Sequence, residues 1–171
     1  MSSYSFIGMA GAGKSTLGAA LSKRLDTNFV DTDLLIEKKF NQSLEDLKES
    51  RGYKFVRLAE EGVILNLENN IKVISTGGSA IYSEQSMNHL KAFSKLIYIF
   101  VPLEVIEARI GYGQKRGLAS PEETSIEDIY NERKPMYERW AHQTIDGTLP
   151  IDDLINLLTC LLYTSPSPRD P

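Results

Sequence analysis

The sequence predicts an α/β fold in which a parallel β-sheet is covered by helices on both faces, within one domain. Two patterns predict it. Short runs rich in β-branched and aromatic residues alternate with amphipathic helical stretches, the order that builds a parallel sheet through helical crossovers. Glycine or acidic motifs then follow three of these runs directly, at 8–16, 31–33 and 76–79. In open α/β sheets ligands bind beyond the carboxyl ends of the strands, so this recurrence marks one edge of the sheet as functional.

The first strand is expected over 5–7, ending in a Gly-rich turn. Residues 14–25 carry an apolar stripe of Leu17, Ala20, Leu21 and Leu25 at helical spacing and form the first helix. A second strand at 28–30 precedes a helix over 33–40. Ser43, three residues before Asp46, has the form of an N-cap and predicts a short helix to about Ser50, before Gly52. A further helix covers about 54–67, and a third strand 71–75 ends at Gly77-Gly78. Residues 83–93 are helical and 96–101 form the strongest strand. Pro102 opens a helix through 110, since proline suits a first helical turn. Over 111–124 the periodicity fails and there is little to bury, which predicts a loop or a mobile lid. Ser125 and Asp128 restart a helix, with an interruption expected at Pro135. Residues 143–145 form a short strand and 151–158 begin a last helix. The domain is therefore 1–159. Residues 160–171 are set aside, because 160–170 resembles the translation of one reading frame of a sequencing-library adapter. That end is expected to be non-native read-through or a Ser/Pro-rich disordered tail.

The chain of 171 residues suits one core. Its 19 Lys and Arg against 23 Asp and Glu leave a net charge of −4, which argues against nucleic acid as the main partner. A small anionic ligand remains open, since it needs only a local positive cluster. No apolar run approaches the roughly 20 residues that span a bilayer, and residues 1–7 lack the basic start of a secretion signal. Cys160 is the single cysteine, so neither an intrachain disulfide nor a cysteine metal cluster is available. A cytoplasmic monomer acting on small molecules, without membrane or nucleic-acid partners, is the expectation. His89 and His142 have no metal-like spacing, and Tyr137 and Trp140 read as packing residues.

The segment Gly8-Met-Ala-Gly-Ala-Gly13-Lys14-Ser15 matches the Walker A pattern between a strand and a helix. Its glycines let backbone N–H groups face phosphate oxygens, and the helix beginning near Lys14 aims its positive end at the same anions. Gly11, Ala12, Gly13, Lys14, Ser15 and Thr16 are thus the candidate ATP cradle. Lys14 suits the β- and γ-phosphates and Ser15 a Mg²⁺ ion. Asp31 and Asp33 follow the second strand. Asp31 is the candidate for holding Mg²⁺ through its waters, and Asp33 for taking the proton of a substrate hydroxyl; the alternative is that one of them caps the next helix. Arg57, Arg116 and Arg133 are candidates for clamping a carboxylate and neutralising developing charge. An ion pair with Glu60 at i+3 is the competing role for Arg57, and Arg116 falls in the expected lid. Gly77 and Gly78 permit close approach of backbone to a ligand.

In this order and spacing the motifs resemble the shikimate kinase family. The resemblance runs through the Walker A loop, Asp31-Thr-Asp33 with Ile36-Glu37, Arg57 with Glu60, Gly77-Gly78-Ser79, Arg116-Gly-Leu118, and Arg133-Lys-Pro-Met-Tyr137. It implies a five-stranded parallel sheet flanked by helices on both faces, in the manner of nucleoside monophosphate kinases, with a mobile lid. It also implies transfer of the γ-phosphoryl group of ATP to a ring hydroxyl. Asp33, Arg57, Gly77, Gly78 and Arg133 would bind shikimate, the two arginines meeting its carboxylate. Lys14, Asp33 and Arg116 would be catalytic, Arg116 contacting ATP from the lid, and Arg109 would lie near the adenine. The chain departs from the family pattern at Tyr53, Val56, Ser79 and Gly117, all in the acceptor half or the lid. A kinase for another hydroxy-acid and a non-catalytic ATP-binding regulator are the other readings. Gluconate kinases favour Gly between the two acids and a nearby His-Pro, whereas Thr32 stands between them here.

Overall fold

The computed structural model describes residues 3–115, 118–121 and 123–164, without the side chains of 112–115 and 161–164. Five strands form one sheet: β1 (Ser3–Ile7), β2 (Phe29–Asp31), β3 (Val73–Ser75), β4 (Ser94–Phe100) and β5 (Gln143–Asp146). Their order is β2-β3-β1-β4-β5 and every pairing is parallel. The central strands β1 and β3 are buried along their whole length, whereas the edge strands β2 and β5 are partly exposed. That is the burial expected of a sheet covered on both faces.

β1 and β4 begin earlier than their apolar runs. Ser3 pairs with Ser94, and the buried hydroxyls of Ser5 and Ser94 bond each other at 2.7 Å. Buried serines that satisfy one another join a strand at little cost, and hydrophobic pattern alone passes over them. β3 starts only at Val73, since Ile71 is held in a turn to Glu68.

Eight helices cover the sheet among the described residues: α1 (Lys14–Leu25), α2 (Thr32–Phe40), α3 (Leu44–Arg51), α4 (Tyr53–Leu65), α5 (Glu84–Phe93), α6 (Leu103–Lys115), α7 (Ile126–Trp140) and α8 (Ile151–Thr164). A 3-10 turn at Ala80–Tyr82, absent from the sequence reading, joins β3 to α5. Leu17 and Leu21 of α1 lie in the main core, with Ala20 and Leu25 packed against it. The caps form where residue type predicted them: Ser43 Oγ accepts from Asp46 N at 3.1 Å and Ser125 Oγ from Asp128 N at 3.0 Å. His89 of α5 bonds the carbonyl of Leu67, in the segment after α4, and His142 Nδ1 accepts from Leu96 N, tying the segment before β5 to β4.

Two expectations are corrected. Pro135 does not interrupt α7, which runs unbroken through it. Pro135 and Asn131 are both exposed, so the carbonyl that loses its helical donor faces the wet side, while the buried Arg133 and Tyr137 anchor the helix on either side. Residues 112–115 are helical rather than loop, beyond a kink at Gly111, whose non-helical φ of 63° and ψ of −176° only glycine adopts freely. The segment also has something to bury, since Leu118, Ala119 and Ser120 are 6%, 5% and 2% exposed. Contiguous burial of three loop residues leaves no periodic trace. α8, which the sequence expects to begin over 151–158, runs from Ile151 to Thr164.

Candidate active site

The chemistry-bearing residues gather at the carboxyl edge of the sheet. Gly13, at φ 95°, is the N-cap of α1 and turns the loop after β1 into the helix. Lys14 is buried, and its ammonium donates to the carbonyls of Gly8 at 2.7 Å and Met9 at 2.8 Å. Burial pulls its pKa down to about 8, against the opposing charges of Asp33 and Glu60. Gly11, Ala12, Gly13 and Thr16 line a hollow of about 480 Å³ together with Arg109, whose Nη1 donates to the carbonyl of Gly11 at 3.1 Å. Pro150 and Leu154 supply part of its apolar wall. The structure thus brings Arg109 and the loop expected to cradle ATP to one hollow.

Asp31 takes the capping role considered for it. Its Oδ1 accepts from the N–H groups of Asp33 at 2.9 Å and Leu34 at 3.3 Å, capping α2. Its Oδ2 accepts a hydrogen bond from Ser15 Oγ, which also lies 3.4 Å from Ser75 Oγ. A hydroxyl and a carboxylate held side by side next to the phosphate loop are all-oxygen donors, a set that fits a Mg²⁺ ion retaining waters and phosphate oxygens. Among the described residues no three His, Cys, Asp or Glu side chains cluster into a metal cage.

A second cleft, of about 630 Å³, is lined by Asp33, Glu37, Val56, Glu60, Gly77, Gly78, Leu118, Ala119 and Arg133, with Ala10 of the phosphate loop at its edge. Burial, then the Glu60 charge, push the Asp33 carboxyl up to about 7, with Lys14 pulling the other way. Gly77 is required by its neighbours. A Cβ there would sit 2.5 Å from both Asp33 Oδ1 and Glu60 Oε2, and one at Gly78 would sit 2.9 Å from Arg133 Nη1. Gly77→Ala is therefore expected to displace both carboxylates and lower kcat roughly tenfold to a hundredfold, as read by steady-state ADP release. Unchanged turnover would mean that neither carboxylate needs its present position.

Arg133 is 1% exposed. Its Nη2 donates to Ser120 Oγ at 3.0 Å and to the Ala119 carbonyl at 3.3 Å, and its Nε lies 3.4 Å from the Tyr82 hydroxyl. The Tyr82 hydroxyl in turn donates to Glu132. Arg57 does not line this cleft. It faces a neighbouring hollow, with its guanidinium 3.7 Å from the Tyr82 ring centre and 4.8 Å from that of Tyr53, and its Nε bonded to the Ala119 carbonyl at 2.8 Å. It makes no ion pair with Glu60, which points the other way. Arg116, together with Gly117, lies outside the described residues.

Glu60 is the residue the sequence reading undervalued. It is 2% exposed and accepts from Gly77 N at 2.6 Å and from Thr32 Oγ1 and Ser79 Oγ at 3.1 Å each. It thereby ties the first residue of α2 to the loop after β3. Burial raises its pKa while these three bonds hold it down. The signal was present: Val56, Ala59, Val63 and Ile64 make the buried face of α4, and Glu60 falls on that face. Ser79 is one of its donors, so this departure from the family pattern is used structurally. Tyr137 packs against Tyr98 as a residue of the core should, but its hydroxyl also donates to the carbonyl of Gly78 at 2.6 Å, fixing the cleft floor.

The comparisons with known proteins agree with this geometry. The family model described as shikimate kinase matches residues 10–157. A "Shikimate kinase 2" from Yersinia pestis is 29% identical over 162 residues, covering 90% of this chain and 93% of that one. The crystal structure of shikimate kinase from Aquifex aeolicus superposes with a TM-score of 0.81 at 28% identity, covering 95% of this chain and 96% of that one. A shikimate kinase from Acinetobacter baumannii, solved in complex with shikimate, gives 0.84 at 27% identity, with coverages of 97% and 95%. This chain belongs to the shikimate kinase family.

Proposed function

We propose that this protein phosphorylates shikimate, transferring the γ-phosphoryl group of ATP to a ring hydroxyl and releasing ADP. The observation that carries the reading is the cleft itself. Asp33, Gly78 and Arg133 face one space beside the phosphate loop, in a member of a family of ATP-dependent kinases. Gly11 to Thr16 would hold the phosphates of ATP, with Arg109 beside the nucleotide. Lys14 would exchange its two carbonyl partners for phosphate oxygens. Ser15 and Asp31 would hold Mg²⁺, which when bound screens the phosphate charge.

In the reaction, the acceptor oxygen forms a bond to the γ-phosphorus as the bond to the β–γ bridging oxygen breaks. The hydroxyl proton passes to Asp33, whose elevated pKa suits it as a base near neutral pH. Arg57 and Arg133 would meet the acceptor's carboxylate, and Gly77 and Gly78 would form the floor beneath its ring. Arg116 is proposed to contact ATP from the lid. No helix among the described residues is long and apolar enough to cross a membrane. The protein is read as a monomer working in the cytoplasm.

The test is ADP release with ATP and Mg²⁺ in the presence of shikimate or of other hydroxy-acids such as gluconate. Strong stimulation by shikimate is expected. Turnover on a different hydroxy-acid with silence on shikimate would instead assign Val56 and Ser79 to a changed acceptor.

A further inference from the structure

Arg57 and Arg133 come from different helices, α4 and α7, yet they hold the same oxygen. Arg57 Nε donates to the Ala119 carbonyl at 2.8 Å and Arg133 Nη2 donates to it at 3.3 Å. Arg133 Nη2 also holds the neighbouring Ser120 Oγ at 3.0 Å. Both guanidiniums lie against one ring, Tyr82, at 3.7 Å and 5.4 Å from its centre. Like charges gathered this closely, partly out of water, require an acceptor between them. Burial foremost, with Arg133 adding to it, draws the pKa of Arg57 down. A main-chain carbonyl meets that need with only a partial charge. A carboxylate in the same place would offer the same donors two charged oxygens, and charge-assisted bonds are roughly twice as strong as neutral ones.

We propose that the Ala119 carbonyl is an internal stand-in for the acceptor's carboxylate, which displaces it and releases residues 118–120 from the arginine pair. The inference rests on the reading of shikimate as acceptor. Leu118 and Ala119 form part of the cleft wall, so the exchange takes place inside the acceptor site. Acceptor binding and the position of this segment then form a single equilibrium, and the fraction of molecules with the segment held lowers the apparent affinity. An uncharged ester of the same ring would replace one neutral acceptor with another, gain little, and leave the segment in place.

Ala-Ser occurs once in the sequence, at 119–120. The full chain labelled with ¹³C-carbonyl alanine and ¹⁵N-serine therefore gives one carbonyl–nitrogen cross-peak, from this peptide bond. Shikimate is expected to move that peak to saturation, and methyl shikimate at equal concentration to leave it unmoved. Ser120→Ala removes one bond of the contact without touching the proposed phosphate or proton-transfer groups. It is expected to lower KM for shikimate about three- to fivefold with kcat essentially unchanged, and Ser120→Thr, which keeps the hydroxyl, to restore the parent KM. An unmoved peak in protein that turns over shikimate would overturn the inference and leave the kinase reading standing. A raised KM in Ser120→Ala, or an equal response to the methyl ester, would overturn it too. If the parent protein fails to turn over shikimate, the kinase reading falls, and the inference with it.

Discussion

Lys14→Met is expected to lower kcat by roughly 10²- to 10³-fold while the melting temperature stays at or above that of the parent. The two halves of the result have separate causes. Lys14 is the one buried cation of the phosphate loop, and its ammonium is held by the Gly8 and Met9 carbonyls at the mouth of the loop, where phosphate oxygens would draw it. Removing it would take away the charge proposed to face the transferring group, and no other cation in the loop would replace it. Stability runs the other way. The folded protein holds the Lys14 pKa at about 8, below the roughly 10.4 of an unfolded chain. A depressed cation destabilises the fold while protonated in both states, and the penalty is relieved as pH rises from about 8 toward 10.5. Methionine fills a similar volume without the charge. Calorimetry at pH 7.5 and 9.5 should show the parent gaining stability over that interval and the variant gaining less. A variant that melts well below the parent at pH 7.5 would recast Lys14 as a structural bridge across the loop.

Local chemistry carried most of what the sequence revealed. The bounds of α1 follow from the glycine cap at Gly13 and the regular apolar stripe that ends at Leu25, both local in the sequence. The caps at Ser43 and Ser125 are likewise local. Strand order is not: β3 lies between β1 and β2 although it follows β2 by some forty positions in the chain, and only long-range crossover packing sets that. The same division runs through the site. The residues of the phosphate loop and the Asp31–Asp33 pair were found because a motif defines them. Arg57 stood as a candidate for the carboxylate clamp, and the competing pair with its i+3 neighbour Glu60 does not form. Its actual partners, Tyr82 and Ala119, come from segments that meet it only in the folded chain. Glu60 was noted only as that neighbour. A carboxylate on the apolar face of α4 is a signal of a buried polar hub, since such a group is tolerated only where donors converge on it.

Asp33→Asn is the complementary test, with an expected loss of about 10²- to 10⁴-fold in kcat and little change in ATP affinity. Asn keeps the shape of the side chain but cannot take a proton from the acceptor hydroxyl. The pH dependence separates this from a role in positioning. With the Asp33 carboxyl raised to about 7, kcat/KM for shikimate in the parent should rise through that pH as the base ionises. The residual activity of the variant should lack that limb. Stability again moves opposite to activity. A carboxyl whose folded pKa lies above its unfolded value of 3.8 binds a proton in the folded state that the unfolded state has released. The parent therefore loses stability as pH rises from about 4 to about 7, and the variant should not lose this contribution. At pH 8 Asp33→Asn should melt higher than the parent. Lys14 and Asp33 would then share one physical property: each is held in a charge state that the fold disfavours, and each gives its protein stability when replaced by a neutral isostere. A site assembled for packing alone would show the reverse. If Asp33→Asn instead weakens ATP binding as much as turnover, the carboxylate serves the nucleotide half, and the proton must leave the acceptor by another route.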